Sequence, residues 1–121
     1  EKVSFRVGDI LRTPFPEGRF DLAVDYGCFH HLLKHDWGRY IVRVKHLLKL
    51  KGFLILSVFT PRFQHVRGKK APARKWLVHR GHYDRFFTAS DIRKLFGVDF
   101  AVLAMSEDSE GFMHALMRRK D

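Results

Sequence analysis

The chain has 121 residues, 45% of them hydrophobic and 12 of them phenylalanine, which suits one domain with its own core. Lys and Arg number 23 against 13 Asp and Glu, a formal net charge of +10, and that balance favours an anionic partner such as nucleic acid, an acidic small molecule or a membrane surface. A single cysteine, Cys28, excludes an internal disulfide and points to a reducing, cytoplasmic setting; no apolar run reaches the roughly 18 residues of a membrane span, and no signal peptide is visible.

Val3 to Val7 alternates apolar and polar residues and is expected to form a short strand. Pro14, Pro16 and Gly18 mark a loop up to Arg19, and Phe20 to Val24 reads as a second, mostly apolar strand. Asp36 is the expected N-cap of a helix from Trp37 to Leu50. Trp37, Tyr40, Ile41, Val44, Leu47 and Leu48 recur there at steps of three and four, and Gly52 is the expected stop. Phe53 to Phe59, "FLILSVF", is expected to be a central strand. Pro61 to His82 is polar, carries seven Lys or Arg and no acid, and is expected to be a long loop with a short helix around Trp76. Thr88 or Ser90 caps a helix through Phe96 that ends at Gly97. Val98 to Met105 and Phe112 to Met117 form a hairpin around "EDSEG". This order implies an α/β domain with a mostly parallel sheet.

In an open α/β sheet, ligands bind outside the carboxyl ends of the strands. Here those ends carry Gly8-Asp9, Asp25-Tyr26-Gly27 and Thr60-Pro61. Asp9 and Asp25 could accept hydrogen bonds there, and Gly27 would let a ligand approach the backbone. The plain alternative is that both acids are turn residues, a common use of Asp.

The stretches "VSFRVGDILRTPFPEGRFDLAVDYGCFHHL", "RVKHLLKLKGFLILSVFTP" and "HYDRFFTASDIRKLF" together resemble the later part of a class I S-adenosylmethionine-dependent methyltransferase, in a small-molecule branch similar to thiopurine and tellurite methyltransferases. The resemblance spans nearly all of the chain except the basic loop. It implies a Rossmann-like class I methyltransferase sheet, ending in an antiparallel β-hairpin, with S-adenosylmethionine as cofactor and a small-molecule acceptor. It implies that Asp9 meets the adenine amino group with Ile10 against the ring, that Asp25, Tyr26 and Gly27 lie beside the methionine part, and that His30 and His31 sit at the edge of the site as candidate proton acceptors. Lys51-Gly52 stands where the family usually has Pro-Gly-Gly.

Two parts of the family pattern are absent. No two of the nine glycines fall within eight positions, so the glycine-rich loop after the first strand is missing, as is the ribose-binding acid after the second. Residues 1–121 are therefore expected to be a single, N-terminally incomplete methyltransferase-like domain, a fragment of something longer or a descendant that has lost half its cofactor site. No metal site is expected: His31 and His35 are four apart, but no Cys or acid completes a ligand pattern with them. A small packed thiol is the expected state of Cys28. The basic stretch Arg62–Arg80 reads either as a lid for an anionic substrate or nucleic acid, or as a solvated connection. The competing function is a non-catalytic basic nucleic-acid-binding module derived from a methyltransferase. An unfinished sheet would also expose an edge and promote self-association.

Overall fold

A computed structural model describes residues 2–63, 76–79 and 81–121. Strand β1 (Phe20–Tyr26) is followed by short 3-10 turns at Phe29–His31 and Lys34–Asp36, then helix α1 (Trp37–Leu47) and strand β2 (Leu48–Phe59). A small hairpin of β3 (Trp76–His79) and β4 (His82–Arg85) precedes helix α2 (Ala89–Phe96), and β5 (Phe100–Glu107) and β6 (Phe112–Arg119) end the chain. The main sheet has the order β1-β2-β6-β5. Only β1 and β2 pair parallel; β2 with β6 and β5 with β6 are antiparallel, so among the described residues the sheet is mixed rather than mostly parallel.

One face of this sheet is packed. The expected stripe of α1 buries Trp37, Tyr40, Ile41 and Val44, and α2 adds Ile92 and Phe96, against Leu54, Leu56 and Val58 of β2 and Met113, Ala115 and Met117 of β6. Burying one such side chain contributes about 1.5–3 kcal/mol. Thr88 caps α2: its side chain accepts from the Asp91 amide, and Asp91 accepts from the Thr88 amide in return. This reciprocal pair satisfies two backbone donors that the first turn cannot.

Three expectations are corrected. Val3–Val7 is not a strand: its apolar side chains stand in solvent, Phe5 at 94% exposure, and no described strand lies beside it to pair with. Alternation alone cannot satisfy a strand's amides. The next segment is instead a turn, in which Arg12 and Thr13 donate to the Asp9 carbonyl, tied to α1 by Arg43 donating to the carbonyls of Ile10 and Thr13. Helix α1 ends at Leu47, three residues before the expected Leu50, because Leu48 turns extended and buries its side chain completely in the core. Lys51, at φ 63°, rather than Gly52 takes the left-handed conformation. Between the pairs Phe20↔Leu48 and Leu22↔Phe53, β1 advances two residues and β2 five, so Leu48–Gly52 forms an irregular entry to the regular strand that begins at Phe53. Finally, the span expected as one long loop with a short helix around Trp76 carries strand β3 there instead, and its last residue, His82, begins β4. Most of the basic stretch Arg62–Arg80 lies outside the described residues.

Candidate functional site

Strand β1 ends on a carboxylate turned inward. Asp25 is buried, and its Oδ1 accepts the Cys28 amide at 2.8 Å. Its Oδ2 accepts the Phe29 amide at 3.1 Å and the Tyr40 hydroxyl. This network holds the turn Phe29–His31 against the strand end. Burial first, then the charge of Asp25, pushes the Tyr40 phenol well above its ordinary pKa, so it stays a neutral donor. Asp25 thus shapes the rim rather than offering it a free charge. Gly27 follows at φ +99°, a conformation that L side chains rarely adopt.

The two histidines have different environments. His30 is 1% exposed, stacks on Phe59 with ring centroids 3.6 Å apart, and accepts the Phe59 amide at Nδ1, 3.0 Å away. An amide donor requires an unprotonated Nδ1, so the neutral ring carries its proton on Nε2. Burial, then the adjacent His31, lowers its pKa from 6.5 to about 3. His30 is therefore a neutral brace between the turn and β2. His31 is exposed, with its Nδ1 3.0 Å from the Asp84 carboxylate and 3.0 Å from the Tyr83 carbonyl.

A cleft of about 280 Å³ runs along β1 and α1, lined by Ile10, Val24, Asp25, Tyr26, Cys28 and Tyr40 among others. Three of the five residues expected to hold a cofactor, Ile10, Asp25 and Tyr26, thus share one cavity. The carboxylate of Asp9 closes its own turn, accepting the Leu11 amide at 2.9 Å, and lies 3.8 Å from Arg12. Burial, then the charges of Asp25 and Asp9, raise the Cys28 thiol from 9.0 to about 11, which keeps it protonated and a poor nucleophile at neutral pH.

Two groups near the rim were not singled out from sequence. Tyr26, Phe59, Phe63 and Phe112 form an aromatic group in which Tyr26 stacks on Phe112 at 5.3 Å and Phe63 meets Phe112 edge-on at 5.0 Å. Beside it, His114 bridges Ser57, 2.7 Å from Nδ1, and Asp108, 2.8 Å from Nε2. The period-2 alternation of β6 is the available signal, since it places Phe112 and His114 on one face.

A family profile described as a methyltransferase domain matches residues 1–56. An uncharacterized methyltransferase of Schizosaccharomyces pombe is 27% identical over 93 residues, covering 77% of this chain and 59% of that protein. Ajmaline N-methyltransferase of Rauvolfia serpentina is 50% identical over 44 residues, 36% of this chain and 15% of that enzyme. The crystal structure of Burkholderia thailandensis 1,6-didemethyltoxoflavin-N1-methyltransferase, with bound 1,6-didemethyltoxoflavin and S-adenosylhomocysteine, superposes with a TM-score of 0.75 at 22% identity, over 93% of this chain and 48% of that one. In its β1–α1–β2 unit and returning hairpin the chain has the fold of that methyltransferase structure, and the methyltransferase-domain profile matches it over residues 1–56. It spans 59% of the Schizosaccharomyces pombe relative's length.

Proposed function

We propose that the chain forms the carboxyl-side part of a methyltransferase domain that uses S-adenosylmethionine to methylate a small, flat, nitrogen-bearing acceptor. The observation that carries this reading is the rim where β1 and β2 end: Gly27 in a left-handed conformation, a cleft on one side and the histidine and aromatic cluster on the other. The residues present fit part of the cofactor. Ile10 and Tyr26 offer apolar surface in the cleft, and Gly27 allows a close approach to the backbone. No glycine-rich turn occurs in the 121 residues, so the fit is to one side of the cofactor only. When bound, S-adenosylmethionine supplies an electrophilic methyl group. The chain's own work is to position the acceptor beside it, which can provide most of the acceleration.

The aromatic group suits a flat acceptor, because stacked or edge-on rings add about 0.5–1.5 kcal/mol beyond burial. The ajmaline and didemethyltoxoflavin enzymes carry N-methyltransferase names and favour nitrogen as the acceptor atom. Nucleic-acid binding through Arg62–Arg80 stays the competing reading, supported by the net charge of +10 alone. Calorimetric titration of residues 1–121 and of the natural full-length protein with S-adenosylhomocysteine tests the proposal. The full-length protein is expected to bind at micromolar concentration and residues 1–121 far more weakly. No binding by the full-length protein would sink the reading.

A further inference from the structure

We infer that Asp84 is a positioning residue that holds His31 with its proton on Nδ1, leaving Nε2 as the nitrogen that takes the N–H proton of a methyl acceptor. The chemistry rests on the methyl-transfer reading above; the geometry does not. Asp84 lies on β4 and is 3% exposed. A buried carboxylate is tolerated only when charged or polar hydrogens meet it. Its Oδ1 is 3.0 Å from Nδ1 of His31, and the Tyr83 carbonyl oxygen is also 3.0 Å from that nitrogen. Both neighbours are oxygen acceptors, so Nδ1 carries a proton whether the ring is neutral or charged. In the neutral ring the basic lone pair is then on Nε2.

His30 has the opposite arrangement. Its Nδ1 accepts the Phe59 amide, so its proton is on Nε2 and its ring is buried. The adjacent histidines, with ring centroids 4.4 Å apart at 87°, are thus fixed in opposite tautomers, and the exposed one is the one backed by a carboxylate. In the step assigned to His31, the acceptor's N–H bond breaks and its electron pair stays on the acceptor nitrogen. The proton bonds to Nε2, and the resulting imidazolium faces Asp84. The role also explains why the β3–β4 hairpin packs its second strand on the turn Phe29–His31: it delivers Asp84 from far along the chain.

Two measurements on the natural full-length protein test this without cofactor or acceptor, so their outcome is separate from that of the methyl-transfer reading. Nitrogen-15 NMR of labelled histidine should find neutral His31 protonated on Nδ1. Asp84→Ala should raise the Nε2-protonated fraction, and Asp84→Asn, which keeps an acceptor oxygen, should preserve the wild-type tautomer. Diethyl pyrocarbonate, which acylates an unprotonated imidazole nitrogen, should modify His31 at Nε2 before it modifies His30. Asp84→Ala should slow that reaction roughly tenfold, the scale of one charge-assisted hydrogen bond. Wild-type His31 protonated on Nε2, or acylation of His31 indifferent to both substitutions in protein that remains folded, overturns the inference.

Discussion

A buried histidine that accepts a backbone amide makes the fold sensitive to acid. His30 holds its Nδ1 toward the Phe59 amide, and burial lowers its pKa to about 3 from the ordinary 6.5. Between those values the unfolded chain binds a proton that the folded chain refuses, so stability rises with pH across the window. It is complete above about 6.5 and declines as the pH falls toward 3. At pH 5 this one group should reduce stability by about 2 kcal/mol relative to pH 8. His30→Asn keeps an oxygen for the Phe59 amide and removes the titration. Urea denaturation at both values checks it: the variant should be less stable at pH 8, yet lose less than wild type on going to pH 5. Equal losses would mean that His30 titrates freely. At this scale the sequence showed that the acid, the glycine and the histidine pair lie together at a strand end, as they do in the structure. It could not divide the labour between His30 and His31. That division depends on Phe59 and Asp84, which only the folded chain brings alongside.

The two secondary elements whose ends carry their own chemistry were legible. Helix α2 begins where Thr88 and Asp91 cap each other, and the β5–β6 hairpin turns around Asp108, whose carboxylate accepts the amides of Glu110 and Phe112. The end of α1 was not legible, because Leu48 and Leu50 continue an apolar helical pattern and only burial of Leu48 in the sheet decides against it. Val3–Val7 had the period of a strand but gained no pairing strand among the described residues. The hairpin turn also secures the chain leaving β2. The carbonyl of Gly111 accepts both the Thr60 amide and the Thr60 hydroxyl at 2.8 Å, and Arg62 pairs with Glu107. Gly111 has φ +94°, and a Cβ there would come within 2.5 Å of the Phe63 backbone. Gly111→Ala should therefore destabilise the fold by about 1–3 kcal/mol through strain alone. It should also push Phe63 away from Phe112. Thermal denaturation gives the first effect, and the ring-current shifts of Phe63 and Phe112 give the second; an unchanged melting temperature would show that the turn relaxes freely.

At the scale of the whole molecule, helices cover the sheet on one face only among the described residues. Helices α1 and α2 cover Leu54, Leu56, Met113 and Met117, while on the other face Leu22, Val24, Tyr26, Phe53 and Leu116 remain exposed, Tyr26 at 67%. Register makes them neighbours: Leu22 pairs with Phe53, Val24 with Ile55, and Ile55 with Leu116. This apolar surface reaches β1, which among the described residues stands at the edge of the sheet with β2 on one side only. An open edge next to an apolar face is a template for pairing. Residues 1–121 alone should therefore self-associate, β1 against β1 of a second copy, with the exposed faces joined. The charge of +10 on each copy opposes this, and salt screens that repulsion, with a Debye length of about 10 Å at 0.1 M and about 3 Å at 1 M. Association should accordingly strengthen as salt is raised, the reverse of what a charge-driven contact would do. Val24→Lys, which places a charge in the centre of the face and at the edge, should return the chain to a monomer without disturbing the buried side. Light scattering across protein concentration and salt decides it. A chain that stays monomeric at every salt concentration would mean that the exposed face and edge are tolerated by a single copy, and the pairing would be wrong.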